Sequence, residues 1–526
     1  MTAEELAMLD IAEIANLLVE RTEKRRQATL AALDPKRRAQ FGQYFTPAQV
    51  SDFIASLARF PVSGSVRILD PGAGAGSLSA ALVARLIKER PDLSVTLVVC
   101  EIDEIVHPAL DETLRDCREQ AGSVGVEIET VLQTGNFIDW AAGGSLLDTT
   151  PEPFDLVITN PPYKKLSRAS RERNIVEFHA CGVSNLYAAF LAMSVNLLKP
   201  NGHLVAITPR SFANGPYFRP FRQFFLEKMH LDRLHVFESR STVFGDSDVL
   251  QENIVFSASR QSRQDRAPIT ISISAGYHDT PRTRTAPHRE VVQPDDPEQF
   301  IHISGADDDR ELAEIHSRLP AQLPELGLRV ATGRVVDFRA KEHLRQDPGA
   351  DTVPLIYPLH MRDGRVTWPV PGARKPNAIV SNETTVKQFF PSGNYVIVKR
   401  MSSKEERRRI VAAVFEVETF PNANIGFENH VNVFHTNGQG LSIEVARGLG
   451  LWLNSTVLDR IIRRFNGHTQ INATDLRNLR YPSLAELMAM GTVLGASPWP
   501  DQDKLDDLVT QHVVACQTKR GDNATA

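Results

Sequence analysis

The sequence has little cysteine, and what it has is scattered. Cys100, Cys117, Cys181 and Cys516 stand far apart and form no CxxC pair. That spacing argues against a zinc site and against a disulfide framework, and it fits a reducing cytoplasm. Apolar runs of membrane-spanning length are also missing. The amino-terminal stretch is polar, acidic and then basic, without the apolar region of a secretory signal, so nothing in it marks the chain for export. Internal repeats and low-complexity blocks are absent. No large charge excess exists either: 59 Lys and Arg face 64 Asp and Glu, a formal net charge of −5. This excludes no partner, because a basic cleft can sit on an acidic protein. What is present is a globular composition, 42% hydrophobic and 23% charged, over 526 residues. Two or three domains are expected from that length.

Residues 4–40 read as helix, with Leu6, Leu9, Ile14, Leu17 and Leu18 at mostly helical steps; residues 1–40 form an amino-terminal helical segment. Within a domain placed at 41–260, short β-branched runs alternate with helical stretches from about 65 onward. The runs are Val66–Leu69, Val95–Cys100, Val126–Leu132, Leu156–Thr159, Leu204–Thr208, Leu234–Phe237 and Asn253–Phe256. Such alternation implies an α/β domain with a doubly wound, mostly parallel sheet of seven strands. Residues 261–322 read as a linker or peripheral segment with one strand near Ile269–Ile273. Residues 323–485 have a mixed α+β pattern, and 486–526 a final helix and tail.

The strand Val66–Leu69 runs into Asp70-Pro71-Gly72-Ala73-Gly74-Ala75-Gly76-Ser77, followed by a helical pattern. A glycine-rich turn there lets backbone amides approach a ligand at the carboxyl edge of a sheet. A dinucleotide is the competing ligand. The third glycine of GxGxxG is missing, however, and the Asp70 carboxylate suits a cationic amino acid, such as the methionine half of S-adenosyl-L-methionine, better than a pyrophosphate. The second strand ends in Glu101-Ile102-Asp103, where a carboxylate can accept hydrogen bonds from ribose hydroxyls. Glu101 is the first candidate and Asp103 the second. After the third strand, Asn136 and Phe137 are candidates for bonding and packing against the cofactor's adenine.

The fourth strand leads into Asn160-Pro161-Pro162-Tyr163. An exocyclic amine on a conjugated ring is a poor nucleophile because its lone pair is delocalised. Two acceptors, the Asn160 side-chain oxygen and the Pro161 carbonyl, can hold its two N–H bonds and draw the nitrogen towards tetrahedral geometry. Prolines stiffen the backbone that carries them. Tyr163 offers a flat surface for a base swung out of a duplex. The competing reading is a rigid Pro-Pro turn that merely ends a strand, and the glycine turn upstream weighs against it.

With these motifs, residues 41–260 resemble the amino-methyltransferases of restriction–modification systems, in the gamma arrangement where cofactor motifs precede the catalytic one. The resemblance implies a class I, Rossmann-like methyltransferase domain using S-adenosyl-L-methionine. It implies that Tyr44, Phe45, Thr46 and Pro47 lie at the methionine end of the cofactor, with Asp70, Gly72, Gly74, Gly76, Glu101, Ile102, Asn136, Phe137 and Asn160 completing the site. It implies that the helix containing Asn185, Leu186, Tyr187 and Phe190 lines the same pocket, and that Phe244 is a second aromatic stacking on the flipped base. The chain departs from the family at Asn136, where Asp is usual.

The same tetrapeptide serves enzymes that methylate RNA or a glutamine amide in proteins, and the long carboxy-terminal half separates these from a DNA enzyme. Leu326–Phe338 and Phe465–Leu479 resemble the entry and end of a target-recognition domain. Basic runs at Lys399–Arg409 and Arg460–Arg480 hold cations for phosphates, and Arg, Asn and Gln for base edges. Lys164, Lys165, Arg168, Arg334, Lys399, Arg400, Arg463, Arg464, Asn472 and Arg477 are the DNA-binding candidates. A charge run can equally be a solvated helix face. The reading is a site-specific DNA methyltransferase acting on adenine N6, with no metal and no membrane. Its partners are double-stranded DNA and, genetically, a cognate restriction endonuclease. It is expected to act as a monomer in a bacterial cytoplasm, at the nucleoid. Cytosine N4 remains the nearest alternative, and an inactive methylase-like DNA-binding subunit a more distant one. Cytosine C5 is disfavoured because none of the cysteines follows a proline.

Overall fold

The computed structural model describes residues 10–62, 64–143, 151–237, 253–261, 267–277, 279–293, 296–303, 312, 315, 316, 318–402, 406–420, 424–465 and 470–514. The chain divides into two compact units, residues 1–305 and 306–526.

The first unit is built on a nine-stranded sheet. Its strands are β1 (Ser65–Pro71), β2 (Ser94–Glu101), β3 (Ile128–Thr134), β4 (Phe154–Thr159), β5 (Leu198–Pro209), β6 (His230–Phe237), β7 (Asn253–Ser259), β8 (Ile269–Ser274) and β9 (Arg282–Ala286). They lie in the order β3-β2-β1-β4-β5-β7-β6-β8-β9. From β3 to β5 all neighbours are parallel, and β7 runs antiparallel to both β5 and β6. The seven expected strands are therefore present. The run near Ile269 is a strand too, and it joins the sheet parallel to β6 and carries β9 as the new edge.

Alternation along each strand divides the core. Ile68, Leu97, Leu156 and Val205 face one layer, with Leu18, Ile54, Leu82 and Leu110 from helices Ile11–Ala32, Ala48–Ser56, Ser77–Glu89 and His107–Ser123. Leu69, Val98, Val157 and Leu204 face the other, with Phe137, Ala188, Leu191, Phe221 and Phe225. A sheet covered on both faces explains why these strands read as continuous apolar runs.

The helix expected over 4–40 is two helices, Ile11–Ala32 and Pro35–Phe41. Pro35 cannot continue a helix but starts one well, and the Asp34 carboxylate accepts from the Lys36 amide at 2.8 Å. The run at Val126 begins its strand two residues later, at Ile128, because the Val126 amide still bonds the Ala121 carbonyl of the preceding helix.

The second unit holds a six-stranded and a five-stranded sheet. Tyr395, Ile397, Phe415 and Val433 pack with Ile356, Phe390 and Phe427 between them. The opposite face, through Val396, Val398 and Phe434, packs on Leu449, Trp452, Leu487 and Met490 of helices Ile443–Leu453 and Leu484–Leu494. These two helices touch backbone to backbone. A β-carbon on Gly448 would lie 1.8 Å from the Leu487 carbonyl oxygen, and one on Gly491 1.8 Å from that of Glu444. Among the described residues no helix is long and apolar enough to cross a membrane.

Gly448→Ala therefore tests the packing against helix propensity. Propensity alone favours Ala by about 1 kcal/mol, whereas overpacking costs about 1–3 kcal/mol. The backbone cannot yield as a side chain would, so denaturant unfolding is expected to show a net loss of stability. A stabilised variant would mean the helices are free to separate.

Candidate active site

The sheet order reverses between β1 and β4, and a cavity of about 220 Å³ opens there, at the carboxyl ends of the strands. Four strand ends line it: Gly72–Ala75 after β1, Cys100–Ile102 at the end of β2, Gly135–Phe137 after β3, and Asn160 with Pro162 after β4. The segment Gln40–Thr46 and the helix residues Leu186 and Phe190 close the remaining sides.

Of the residues proposed from sequence for the cofactor, Tyr44, Phe45, Thr46, Gly72, Gly74, Glu101, Ile102, Asn136, Phe137 and Asn160 line this one cavity. Pro47, Asp70 and Gly76 stand behind its wall. Pro47 precedes helix Ala48–Ser56. Gly76 opens helix Ser77–Glu89 at φ 85°, where a β-carbon would come within 2.8 Å of the Thr113 methyl. Asp70 is fully buried, and its Oδ2 accepts from the Ser79 hydroxyl at 2.7 Å while Oδ1 has no partner. Burial, with repulsion from Glu101, pushes the Asp70 carboxyl up to about 7.

Glu101 and Asp103, the first and second candidates for the ribose hydroxyls, point to different sides. The Glu101 carboxylate faces the cavity and accepts from the Gly74 amide at 2.8 Å and the Asp103 amide at 2.9 Å. Burial raises its pKa against those two bonds. Asp103 turns away. Its carboxylate takes Arg37 at 2.7 Å and Gln43 at 3.0 Å. Burial works to raise the Asp103 pKa, but these partners outweigh it and hold the group below its ordinary value. The second carboxylate thereby fastens the Gln40–Thr46 segment to the sheet.

That segment also positions Asn160. The Asn160 Nδ2 donates to the Tyr44 carbonyl at 2.8 Å and to the Thr46 hydroxyl at 3.0 Å. A carbonyl can only accept, so the amide nitrogen faces Tyr44 and the oxygen faces the other way. Oδ1 is buried and accepts nothing. The Pro161 carbonyl likewise has no donor among the described residues. Two acceptors on consecutive residues thus have no donor among the described residues. Tyr163 follows, its amide bonded to the Gly42 carbonyl at 3.0 Å. Its ring stands between Tyr44 (centroids 5.0 Å apart) and Tyr187 (6.1 Å). Gly42, at φ 69°, admits this approach: a β-carbon there would meet the Tyr163 backbone at 3.1 Å. Phe244 lies outside the described residues.

Asn136 caps helix Phe137–Ala141, its Oδ1 accepting from the Ile138 amide at 2.9 Å. Its Nδ2 donates to Oε1 of Glu172 at 3.3 Å. Glu172 lines the cavity and has no motif to announce it.

The proposed DNA contacts differ among themselves. Lys164, Lys165 and Arg168 are exposed just after the tetrapeptide, with Lys164 bonded to the Gln40 carbonyl at 2.8 Å. In the second unit Arg334 and Arg477 are exposed. Arg334 stacks over Phe390, 4.2 Å from its ring centroid. Lys399 pairs with Glu406 at 2.8 Å, and Arg400 bonds the Asn429 carbonyl at 3.2 Å. Arg463 is held by Asp459 at 2.7 Å, and Asn472 forms a capping box with Asp475. Of the basic run Lys404–Arg409, the described residues 406–409 are not helical, and Arg407 is exposed. Arg409 is fully buried and its amide bonds Asp459 at 2.6 Å. The side chain of Arg464 lies outside the described set.

A glycine turn at the switch point, the order 3-2-1-4-5-7-6 within the sheet, and Asn-Pro-Pro-Tyr at the end of β4 define a class I methyltransferase fold. The model of the family described as "Eco57I restriction-modification methylase" matches residues 99–244. The Type II methyltransferase M.BsuBI of Bacillus subtilis is 43% identical over 461 residues, covering 87% of this chain and 90% of that protein. The Type II methyltransferase M.PstI of Providencia stuartii is 38% identical over 486 residues, covering 92% and 95%. A solved structure of the Type IIL restriction–modification enzyme MmeI, in complex with DNA, aligns with a TM-score of 0.54 at 10% identity, over 96% of this chain and 73% of that one. It shares the fold. The chain belongs to the Type II restriction–modification DNA methyltransferases, and it is a site-specific DNA methyltransferase that uses S-adenosyl-L-methionine.

The buried Asp70 has a consequence for stability. Its pKa is raised from 3.8 to about 7 on folding, so between those values the folded chain holds the extra proton. Stability contributed by this group therefore falls as pH rises through that window and levels off above it. Asp70→Asn keeps an acceptor for Ser79 and removes the buried charge. Its thermal midpoint is expected to gain on the wild type at pH 8 relative to pH 5. An equal difference at both pH values would show that Asp70 does not titrate there.

Proposed function

We propose that this enzyme methylates the N6 amine of an adenine flipped out of a specific duplex sequence. The observation that carries the reading is the Asn160 amide, whose nitrogen is tied to Tyr44 and Thr46 and whose oxygen is left buried without a donor. A buried acceptor without a donor costs about 1–3 kcal/mol, a cost that a substrate N–H would relieve. Asn160 Oδ1 and the Pro161 carbonyl accept the two amine hydrogens, localise the nitrogen lone pair, and stabilise the positive charge that develops on it. Tyr163 presents its face to the extruded base. Pro161 and Pro162 keep both acceptors from relaxing away.

The cavity suits the cofactor. It offers the Glu101 carboxylate to hydroxyls, backbone that can approach closely at Gly72 and Gly74, and apolar walls at Ile102, Phe137 and Phe190. Tyr44, Phe45 and Thr46 lie beside Asn160 and would hold the end nearest the transfer. When bound, S-adenosyl-L-methionine supplies an electrophilic methyl for direct displacement, without a covalent enzyme intermediate.

We assign methyl transfer to 41–260 and sequence reading to 323–485, with 1–40 a helical support, the 261–322 segment adding strands β8 and β9 to the sheet before the second unit, and 486–526 a closing helix and tail. Exposed Lys164, Lys165 and Arg168 support contacts to the target strand, and Arg334 and Arg477 support contacts elsewhere on the duplex. A cognate endonuclease as genetic partner, a monomeric state and a cytoplasmic, nucleoid-associated location complete the reading.

Expression in a methylation-free host, followed by modification-sensitive sequencing of its DNA, is expected to show N6-methyladenine at one recurring sequence. N4-methylcytosine would overturn the choice of base, and unmodified DNA would remove the reading. Asn160→Ala is expected to lower turnover by at least about a hundredfold, the typical cost of one lost transition-state contact, with cofactor affinity nearly intact. Undiminished turnover would place the reacting amine elsewhere. Tyr163→Ala should weaken the fluorescence rise of 2-aminopurine at the target position, and an unchanged signal would move base stacking to another residue.

A further inference from the structure

Glu172 is a carboxylate in the cavity wall with nothing in its own surroundings to explain it. It sits in the first turn of helix Arg171–His179, half-buried, and has no ion-pair partner among the described residues. Among the described residues its carboxylate accepts one side-chain hydrogen bond, from Asn136 Nδ2 at 3.3 Å. Favourable interaction with the helix amino terminus would account for an acid in this turn. It would not account for a position in the cavity wall against Asn136.

The chemistry of the pair is specific. Asn136 Oδ1 is engaged by the Ile138 amide, so what remains of that side chain is the second hydrogen of Nδ2, a donor. Glu172 keeps one oxygen without a partner, and an ionised carboxylate only accepts. Side by side, the two residues offer a donor next to an acceptor. Adenine's pairing edge is the complement: a ring nitrogen that accepts, beside an exocyclic amine that donates. Hypoxanthine has the opposite pattern, an oxygen that accepts beside a ring N–H. An Asp at 136 would set two carboxylates against each other, so Asn136 is the residue that this neighbour permits.

We infer that Glu172 is a cofactor-binding residue that accepts a hydrogen bond from the exocyclic amine of the cofactor's adenine, with Asn136 donating to the adjacent ring nitrogen. The inference rests on reading the cavity as the S-adenosyl-L-methionine site and names the residue that selects adenine there. It also ties the segment following the tetrapeptide to the cofactor, since Glu172 lies only a few residues beyond Arg168.

The test is calorimetric titration of the full chain with S-adenosylhomocysteine and with S-inosylhomocysteine, which differ only at the base edge. The wild type is expected to favour the adenine compound by roughly tenfold or more, as a charged hydrogen bond and a mismatched edge require. Glu172→Gln, whose amide can turn to donate to the hypoxanthine oxygen while Asn136 still presents a donor to the ring nitrogen, should narrow the wild-type preference severalfold without abolishing it. Glu172→Ala should lose affinity for the adenine compound and gain none for the other. Wild-type discrimination retained in full in Glu172→Gln would overturn the inference while leaving the cavity assignment standing. A wild type that binds neither compound would overturn both.

Discussion

The chemistry of this site depends on which way one side-chain amide points. Asn160 follows a buried parallel strand, and its amide is indifferent to rotation by half a turn unless its surroundings distinguish nitrogen from oxygen. The Tyr44 carbonyl makes that distinction because it can only accept, and the Thr46 hydroxyl adds a second acceptor. With the nitrogen held, the oxygen is left buried without a donor, and the carbonyl of the next residue, Pro161, has none among the described residues. The flip is set in the folded protein, so it need not be set again at each turnover. This is preorganisation in its simplest form, and it places the orientation of the reacting group under the control of a segment 116 residues away in sequence.

That segment must itself be fixed, and the carboxylates at the end of β2 explain how. Asp103 holds Arg37 and Gln43 and stays ionised, while its neighbour Glu101 is held by two backbone amides and keeps its face to the cavity. Two acids separated by one residue thus act in opposite directions, one inward to a ligand and one outward to the strap. The Gly42 carbonyl, bonded to the Tyr163 amide, closes the circuit between strap and tetrapeptide. Asp70 has no such partner beyond Ser79 and is forced towards its protonated form, so the charge nearest the glycine turn is the most weakly supported.

Much of this could be read from sequence because it is local. A β-branched run ending in a glycine turn, or in Asn-Pro-Pro-Tyr, carries its strand, its turn and its candidate acceptors in a few consecutive residues. The apolar strands of a doubly covered sheet were legible for the same reason. What was hidden was held by distance. Nothing near Asn160 in the chain announces that Tyr44 and Thr46 orient it, and nothing distinguishes Asp103 from Glu101 until Arg37 arrives. Glu172 belongs to no motif, being one acid among several in a polar stretch. The single long amino-terminal helix failed on a local signal, Pro35 after Asp34, which the apolar periodicity of the preceding residues outweighed.

The basic runs of the second unit show a different limit, since composition records charge but not whether a partner already holds it. Arg409 is buried and its backbone is bonded to Asp459; Arg463 pairs with the same carboxylate, and Lys399 with Glu406. A cation already neutralised at close range gains less from a phosphate, because the ion pair must first be surrendered. Arg477 is exposed and pairs with no carboxylate among the described residues, and Arg334 is exposed with its guanidinium over Phe390. Ranked this way, the density of arginine in a run is a poor guide to contact, and exposure without a carboxylate is a better one. The same ranking favours Lys165 and Arg168, which are exposed and have no carboxylate within ion-pair distance among the described residues. The cations free to meet a backbone are fewer than the sequence suggests, and some of them stand immediately after the tetrapeptide that would hold the reacting base.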